Sequence, residues 1–362
     1  MNMRKLIFTG VSFILLGASC FAISLPLFQD SIRMLEDAQF AFDSGEFGKA
    51  LKLAEESKIL RQQEVEACLS ALSQALHPQE VQDAGDDISA VTAVLQSRDV
   101  YDVVALIEYM SALHGEIYFS NSINKMLEYL EDKRIFPEAS HLVAKVYEYE
   151  GEYELSYSYY TDAWNHATVL DIPEKKYDIL YDMANLSYNF NDYENCEKAL
   201  MLIIASDPYY SDDGFATALN NSVRRGYSAD KVFNLYRSDC YRSIPAFYRL
   251  TELYQEQGRH QEAFKMALFG ILASFTRMDS FLNNRVTEFQ YDGLDDFFAI
   301  ALSNYELAEW TMDQGFWRCF YRLADLGSQL FPENKDFSDQ LFAVMAQSAP
   351  ENYWRQLAIS KM

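Results

Sequence analysis

Residues 137–208 constrain the fold more than any other part of the chain. They read as two helical hairpins in tandem, PEASHLVAKVYEYEGEYELSYSYYTDAW and NHATVLDIPEKKYDILYDMANLSYNFNDYENCEKALMLIIASDP. In each, a helix stops at a tight turn of the form Gly/Asn-acid-Tyr, Gly151-Glu152-Tyr153 and Asn191-Asp192-Tyr193, and a second helix starts at once. Gly and Asn suit such turns because both tolerate positive φ. Small residues recur where paired helices would cross most closely, and an aromatic beside them fills the gap to the next hairpin. One hairpin cannot bury its apolar faces alone, so such units must stack and more copies are expected.

The copies are there. Met34, Ala38 and Ala41 lead to Gly45-Glu46-Phe47, followed by Ala50, Ala54 and Ser57. Turn-like points return at Gly226 and Gly258, 35 and 32 residues on from Asn191 and Gly226. Phe247, Leu250, Tyr254, Ala263, Ala267 and Gly270 are in register around the second of these. A last copy surrounds Gly315, with Asn304, Leu307, Ala308, Trp317, Ala324, Gly327 and Pro332, and with Phe320 where a small residue is expected. This spacing resembles the tetratricopeptide repeat (TPR), carried best by Ala144, Tyr147, Ser156, Tyr160 and Ala163, then by Ala184, Ser187, Cys196, Leu200, Ile203 and Pro208. The resemblance implies an all-α fold, a TPR-like helix-hairpin superhelical solenoid. The expected organisation is a signal peptide or membrane anchor at 1–28, TPR-like and degenerate hairpins at 29–135 and central repeats at 136–272. A repeat with an insertion follows at 273–336, and capping helices at 337–362.

The N-terminus carries a second message. No acid precedes Asp30, and Arg4 and Lys5 stand before the apolar run Leu6–Phe28. This is the layout of an export signal. Cleavage after Ala22, lipidation of Cys20 within Leu16-Gly17-Ala18-Ser19-Cys20, and retention of the run as an anchor are three outcomes. All three place the repeats outside the cytoplasm, in the periplasm of a bacterial envelope. A buried N-terminal helix of a cytoplasmic protein is the fourth reading, and it leaves the charge asymmetry unexplained. With 54 acidic against 30 basic side chains, a net charge of −24 disfavours nucleic acid. Cys68, Cys196, Cys240 and Cys319 are widely spaced and contain no C-x-x-C.

No phosphate loop, H-E-x-x-H or G-x-S-x-G motif occurs, and no histidine stands in metal-ligand spacing, so neither an enzyme, a cofactor nor a metal is expected. The acid pairs Asp212-Asp213 and Asp295-Asp296 read as helix N-terminal acids. What remains is a surface. In TPR proteins the first helix of each hairpin lines a concave groove, and the corresponding positions here are His141, Lys145 and Glu148; Tyr181, Asn185 and Tyr188; Tyr248, Glu252 and Gln255; and Tyr305, Glu309 and Met312. A tyrosine column with interleaved Asn and Glu suits an extended peptide. Its acids, Glu148, Glu252 and Glu309 against Lys145, imply a neutral or basic protein or peptide partner. These tyrosines could equally pack in a core. The functional expectation is a non-enzymatic scaffold in the envelope. The alternative is a TPR accessory of a periplasmic solute transport system, with Trp164, Trp310 and Trp317 lining a pore for a small hydrophobic ligand.

Overall fold

The computed structural model describes residues 28–76, 88–98, 103–105, 107–108, 123–239, 241–286 and 289–362. The export segment with Cys20, and the polar stretch PQEVQDAGDD, lie outside the described residues. The helices bounded within them begin with α1 (Gln29–Asp43), α2 (Phe47–Ala75), α3 (Ile88–Gln96) and α4 (Ile123–Asp132). Next come α5 (Pro137–Glu150), α6 (Tyr153–Asn165), α7 (Lys175–Asn189), α8 (Tyr193–Ala205), α9 (Pro208–Ser211), α10 (Asp213–Arg224) and α11 (Ala229–Leu235). The C-terminal series is α12 (Ile244–Glu256), α13 (His260–Arg285), α14 (Leu294–Ser303), α15 (Tyr305–Asp313), α16 (Phe316–Leu330), α17 (Asp336–Ser348) and α18 (Asn352–Ile359). No strand occurs among the described residues, so the fold is all-α, as the apolar spacing of three and four requires. No helix among them is long and apolar enough to cross a membrane.

The chain divides into two compact units. The smaller holds the described residues of 28–37 and 56–135, the larger Ala38–Glu55 with Phe136–Met362. In the smaller unit Arg61 is fully buried; its Nε donates to Ser31 Oγ at 2.9 Å and its guanidinium lies 4.5 Å from the centroid of the Phe28 ring. Both contacts offset the cost of taking a charge out of water.

The larger unit is built on one repeated turn. Between α5 and α6 the Gly151 amide donates to the Glu148 carbonyl at 3.2 Å and the Glu152 amide to the Tyr147 carbonyl at 2.8 Å, with Gly151 at φ 85°. Asn191, at φ 60°, repeats the arrangement between α7 and α8 through Tyr188 and Ser187. A left-handed residue is needed here because these bonds reverse the chain within the last helical turn. The same pair of bonds and the same sign of φ recur at Gly45, Gly226 and Gly258. Asp192 then caps α8 by accepting from the Asn195 amide, and Asp212 caps α10 by accepting from the Phe215 amide. Asp213, Asp295 and Asp296 sit in first helical turns, where the helix dipole favours them.

Small residues mark the closest crossings. Ala144, Ser156, Ala163, Ala184, Cys196, Ala263 and Ala267 are all buried between paired helices. At Gly270 an added Cβ would stand 2.9 Å from Phe247 Cβ and from the Tyr248 ring. Helix α6 packs on α7, and α8 packs directly on α12. Helices α10 and α11 therefore stand outside this series, and α11 packs on α17 instead. Two bonds hold the excursion: Asn334 Nδ2 donates to the Arg224 carbonyl at 2.6 Å, and the Asp230 amide donates to Gln340 Oε1 at 3.1 Å.

The end of the chain departs from expectation. A hairpin of α15 with α16 about Gly315 is expected, and the chain does turn there, at φ 69°. Yet α16 lies chiefly against α13 and α17. Its Gly327 is the close-crossing residue, since a Cβ there would meet Ser338 Oγ of α17 at 2.6 Å. Phe320, out of place for a crossing with α15, is buried edge-on against Phe298 of α14 at 5.6 Å. The expected insertion over 273–293 is largely α13 itself, which runs on to Arg285. Beyond it the Tyr291 hydroxyl and the Leu294 amide both donate to Asp230 Oδ1.

Gly270→Ala should therefore lower stability by about 1–3 kcal/mol through overpacking. Gly48→Ala, exposed in α2 with nothing within 4 Å of its Cβ, should raise it by about 0.4–1 kcal/mol. Urea denaturation of the two variants checks the pair, and equal shifts would contradict the close crossing.

Candidate binding site

Side chains from α5, α7, α12 and α16 meet in one continuous polar row. It begins at His141 Nε2, 2.8 Å from Asp182 Oδ2. Two turns along α5, the Tyr160 hydroxyl donates to Glu148 Oε2 at 2.7 Å. From α7 to α12, Arg249 donates to Asn185 Oδ1 and its guanidinium lies 5.6 Å from the centroid of the Tyr181 ring. The Tyr181 hydroxyl donates to the Arg242 carbonyl at 2.6 Å, and the Tyr188 hydroxyl to Glu256 Oε2 at 3.4 Å. From α12 to α16, the Glu252 carboxylate takes Arg318 at 3.3 Å and Arg322 at 2.7 Å. Intervals of three and four within each helix keep these groups on one side. Between α12 and α16 the row opens into a cleft of about 280 Å³ whose walls include Arg249, Glu252, Arg318 and Arg322.

Of the residues expected to bind a partner, Tyr181, Asn185, Tyr188 and Glu252 lie in this row. Lys145 is half-buried, its ammonium 5.2 Å from the Phe42 ring centroid. Tyr248 is corrected to the core: although it borders the cleft, it is 8% exposed and its hydroxyl is 2.6 Å from Ser274 Oγ. The reason is Gly270, which lets the ring press against the α13 backbone. Tyr305 and Glu309 lie outside the row. They sit on α15, which packs on α14 and α16, and they bond to each other at 3.2 Å with Tyr305 75% exposed. Trp317 is core, donating through Nε1 to Thr311 Oγ1 at 3.3 Å.

Sequence reasoning missed Asp182, Arg249, Arg318 and Arg322. On α12 one of the three expected positions, Tyr248, is buried and Arg249 beside it was not considered. Residues 246–248, 250, 251, 253 and 254 are buried, which leaves 249, 252, 255 and 256 as the polar face. That complement was a usable signal. On α16 the error follows from taking α15 as the first helix of the last pair. The row's charge differs from the sequence expectation accordingly: Glu252 is shared by two arginines, and Glu309 lies on α15, outside the row.

Burial sets the protonation of two thiols. It pushes Cys196 up to about 11 and Cys319 up to about 12, so both stay neutral at ordinary pH; Cys68, Cys196 and Cys319 are all free. Burial also raises the Glu148 carboxyl, with Asp182 adding to it while Tyr160, Lys145 and His141 oppose. A carboxyl raised in the folded state binds its proton more tightly there, so its contribution favours folding at low pH and is lost as pH rises through the raised value. Glu148→Gln removes that titration. Its melting temperature relative to the parent protein should climb between about pH 4 and about pH 7, and a flat difference would refute the assignment. Tyr248→Ala should cost about 3–5 kcal/mol of stability as a core truncation, whereas Tyr305→Ala should stay within about 0.5 kcal/mol. Chemical denaturation distinguishes the two.

No protein-family model matches the chain. An uncharacterized protein of Treponema pallidum (strain Nichols) is 30% identical over 302 residues, spanning 82% of this chain and 81% of that protein. At that identity, sustained over four-fifths of both chains, the protein belongs to the same family as the Treponema pallidum one.

Proposed function

We propose that the chain is a non-enzymatic interaction scaffold of the bacterial envelope, a TPR-like superhelical solenoid that holds a protein or peptide partner along the α5, α7, α12 and α16 row. The observation that carries this reading is the row itself. Four helices contribute aromatic, amide and charged side chains to one face, and the Tyr188 ring is 42% exposed to pack on a ligand while its hydroxyl reaches Glu256. Five turns with the same hydrogen bonds support the repeat architecture. The basic and apolar N-terminal sequence supports export, by cleavage, by a lipid on Cys20 or by an anchor.

The test is site-specific photocrosslinking in cells. A crosslinker at Tyr188 should trap one discrete protein, and the same group at Leu202, exposed on α8, should not. Equal trapping at both, or none at Tyr188, would remove the reading. Recovery of a small molecule in place of a protein would favour a transport accessory. Tyr188→Ala should weaken binding of the trapped partner by about 1–3 kcal/mol with little change in melting temperature.

A further inference from the structure

We propose that the cleft between α12 and α16 is a carboxylate-binding site, with Arg249, Arg318 and Arg322 as its donors. The inference rests on the scaffold reading and adds the chemistry of what one end of the row accepts. Three guanidinium groups face a cleft of about 280 Å³, small for a ligand pocket and sized for a side chain. Two carboxylates share its wall, Glu252 and Asp313. Glu252 is held by Arg318 and Arg322 together, at 3.3 and 2.7 Å, so one acid orients two bases and neutralises only one charge. Among the described residues Arg249 has no carboxylate within ion-pair distance: it donates to the neutral Asn185 amide and lies beside the Tyr181 ring. The Cys319 thiol on the wall, pushed up to about 12, brings no negative charge.

In a chain of net charge −24, three guanidinium groups against two carboxylates leave this cleft with an excess of one positive charge. Arginine presents paired N–H groups in a fork that matches a carboxylate, and its weak hydration makes desolvation in a cleft less costly than for lysine. Asn185 holds one fork in advance and Glu252 the other two, which reduces the ordering cost of binding. The other half of the row carries Glu148 and Asp182 beside His141 and Lys145. A partner segment would therefore lie in one direction, its acidic side chain at the α12–α16 end.

The probe is a fluorescein-labelled peptide of alternating glycine and glutamate, acetylated and amidated so that its carboxylates are side chains, compared by anisotropy with its glutamine counterpart. The full-length protein should bind the glutamate peptide saturably and the glutamine peptide at least about tenfold more weakly. Arg249→Gln and Arg318→Gln should each weaken the glutamate peptide, the pair together by about tenfold or more, and added salt should act in the same direction. Both positions are solvent-exposed, so melting temperatures should be close to that of the parent protein. Displacement by free glutarate would identify a small dicarboxylate as the source of the group; displacement only by the peptide would identify a protein segment. Equal binding of the two peptides, or undiminished binding by folded double variant, would overturn the proposal. Trapping at Tyr188 without any carboxylate binding would overturn this site alone and leave the scaffold reading standing.

Discussion

Helix pairs approach only as closely as the side chains between them allow, and in the larger unit that distance is set by a few residues with almost no side chain. Ala144 and Ala184 open two of these crossings, Gly270 a third and Gly327 a fourth. Because the backbones come close there, side chains projecting beyond the crossings can span from one helix to the next. His141 reaches Asp182, Asn185 reaches Arg249, and Glu252 reaches α16 for this reason. Widen one crossing and the row loses its register on both sides, since each helix takes its place from its neighbours.

The most exposed ion pair of the row, Arg318 with Glu252, does little to hold the fold. The Arg318 side chain is 54% exposed, and exposed pairs contribute about 0–1 kcal/mol because solvent screens them. What they contribute is position. A guanidinium held by a carboxylate explores fewer rotamers, so a face with such contacts presents its charges at fixed places despite the flexibility of long side chains. Stability comes from elsewhere, from aromatic packing such as Phe275 on Phe297 at 4.3 Å and Phe247 on Phe269 at 5.8 Å.

The turns were the most legible part of the structure in the sequence, because positive φ restricts composition so strongly that Gly45, Gly151, Asn191, Gly226, Gly258 and Gly315 could be placed by inspection. Close-crossing residues were nearly as legible, since a missing side chain is itself the signal. Pairing was harder. Gly315 was read correctly as a turn and wrongly as the tip of a close pair, because a local motif says nothing of which neighbour a helix chooses. Phe320 recorded the disagreement in the sequence. For the candidate site, the α7 positions and Glu252 were placed from spacing, while Tyr248 was not: it looks polar enough for a surface, and only the facing Gly270 shows that a ring belongs there. The arginines of α16 depended on the pairing and were lost with it.

The excursion of α10 and α11 ties residues 224 and 230 to partners 110 positions later, whereas the hairpins before it close within a few tens of residues. Contacts of that sequence separation form late, after local pairs have closed. A chain emerging from its N-terminus completes α5 through α8 while Val232 and Phe233, buried in the finished unit, still wait for α17 to be made. The molecule thus matures in two tempos, a quick series of hairpins and a slow closure. Until α17 is made, Val232 and Phe233 lack the helix that covers them in the finished unit.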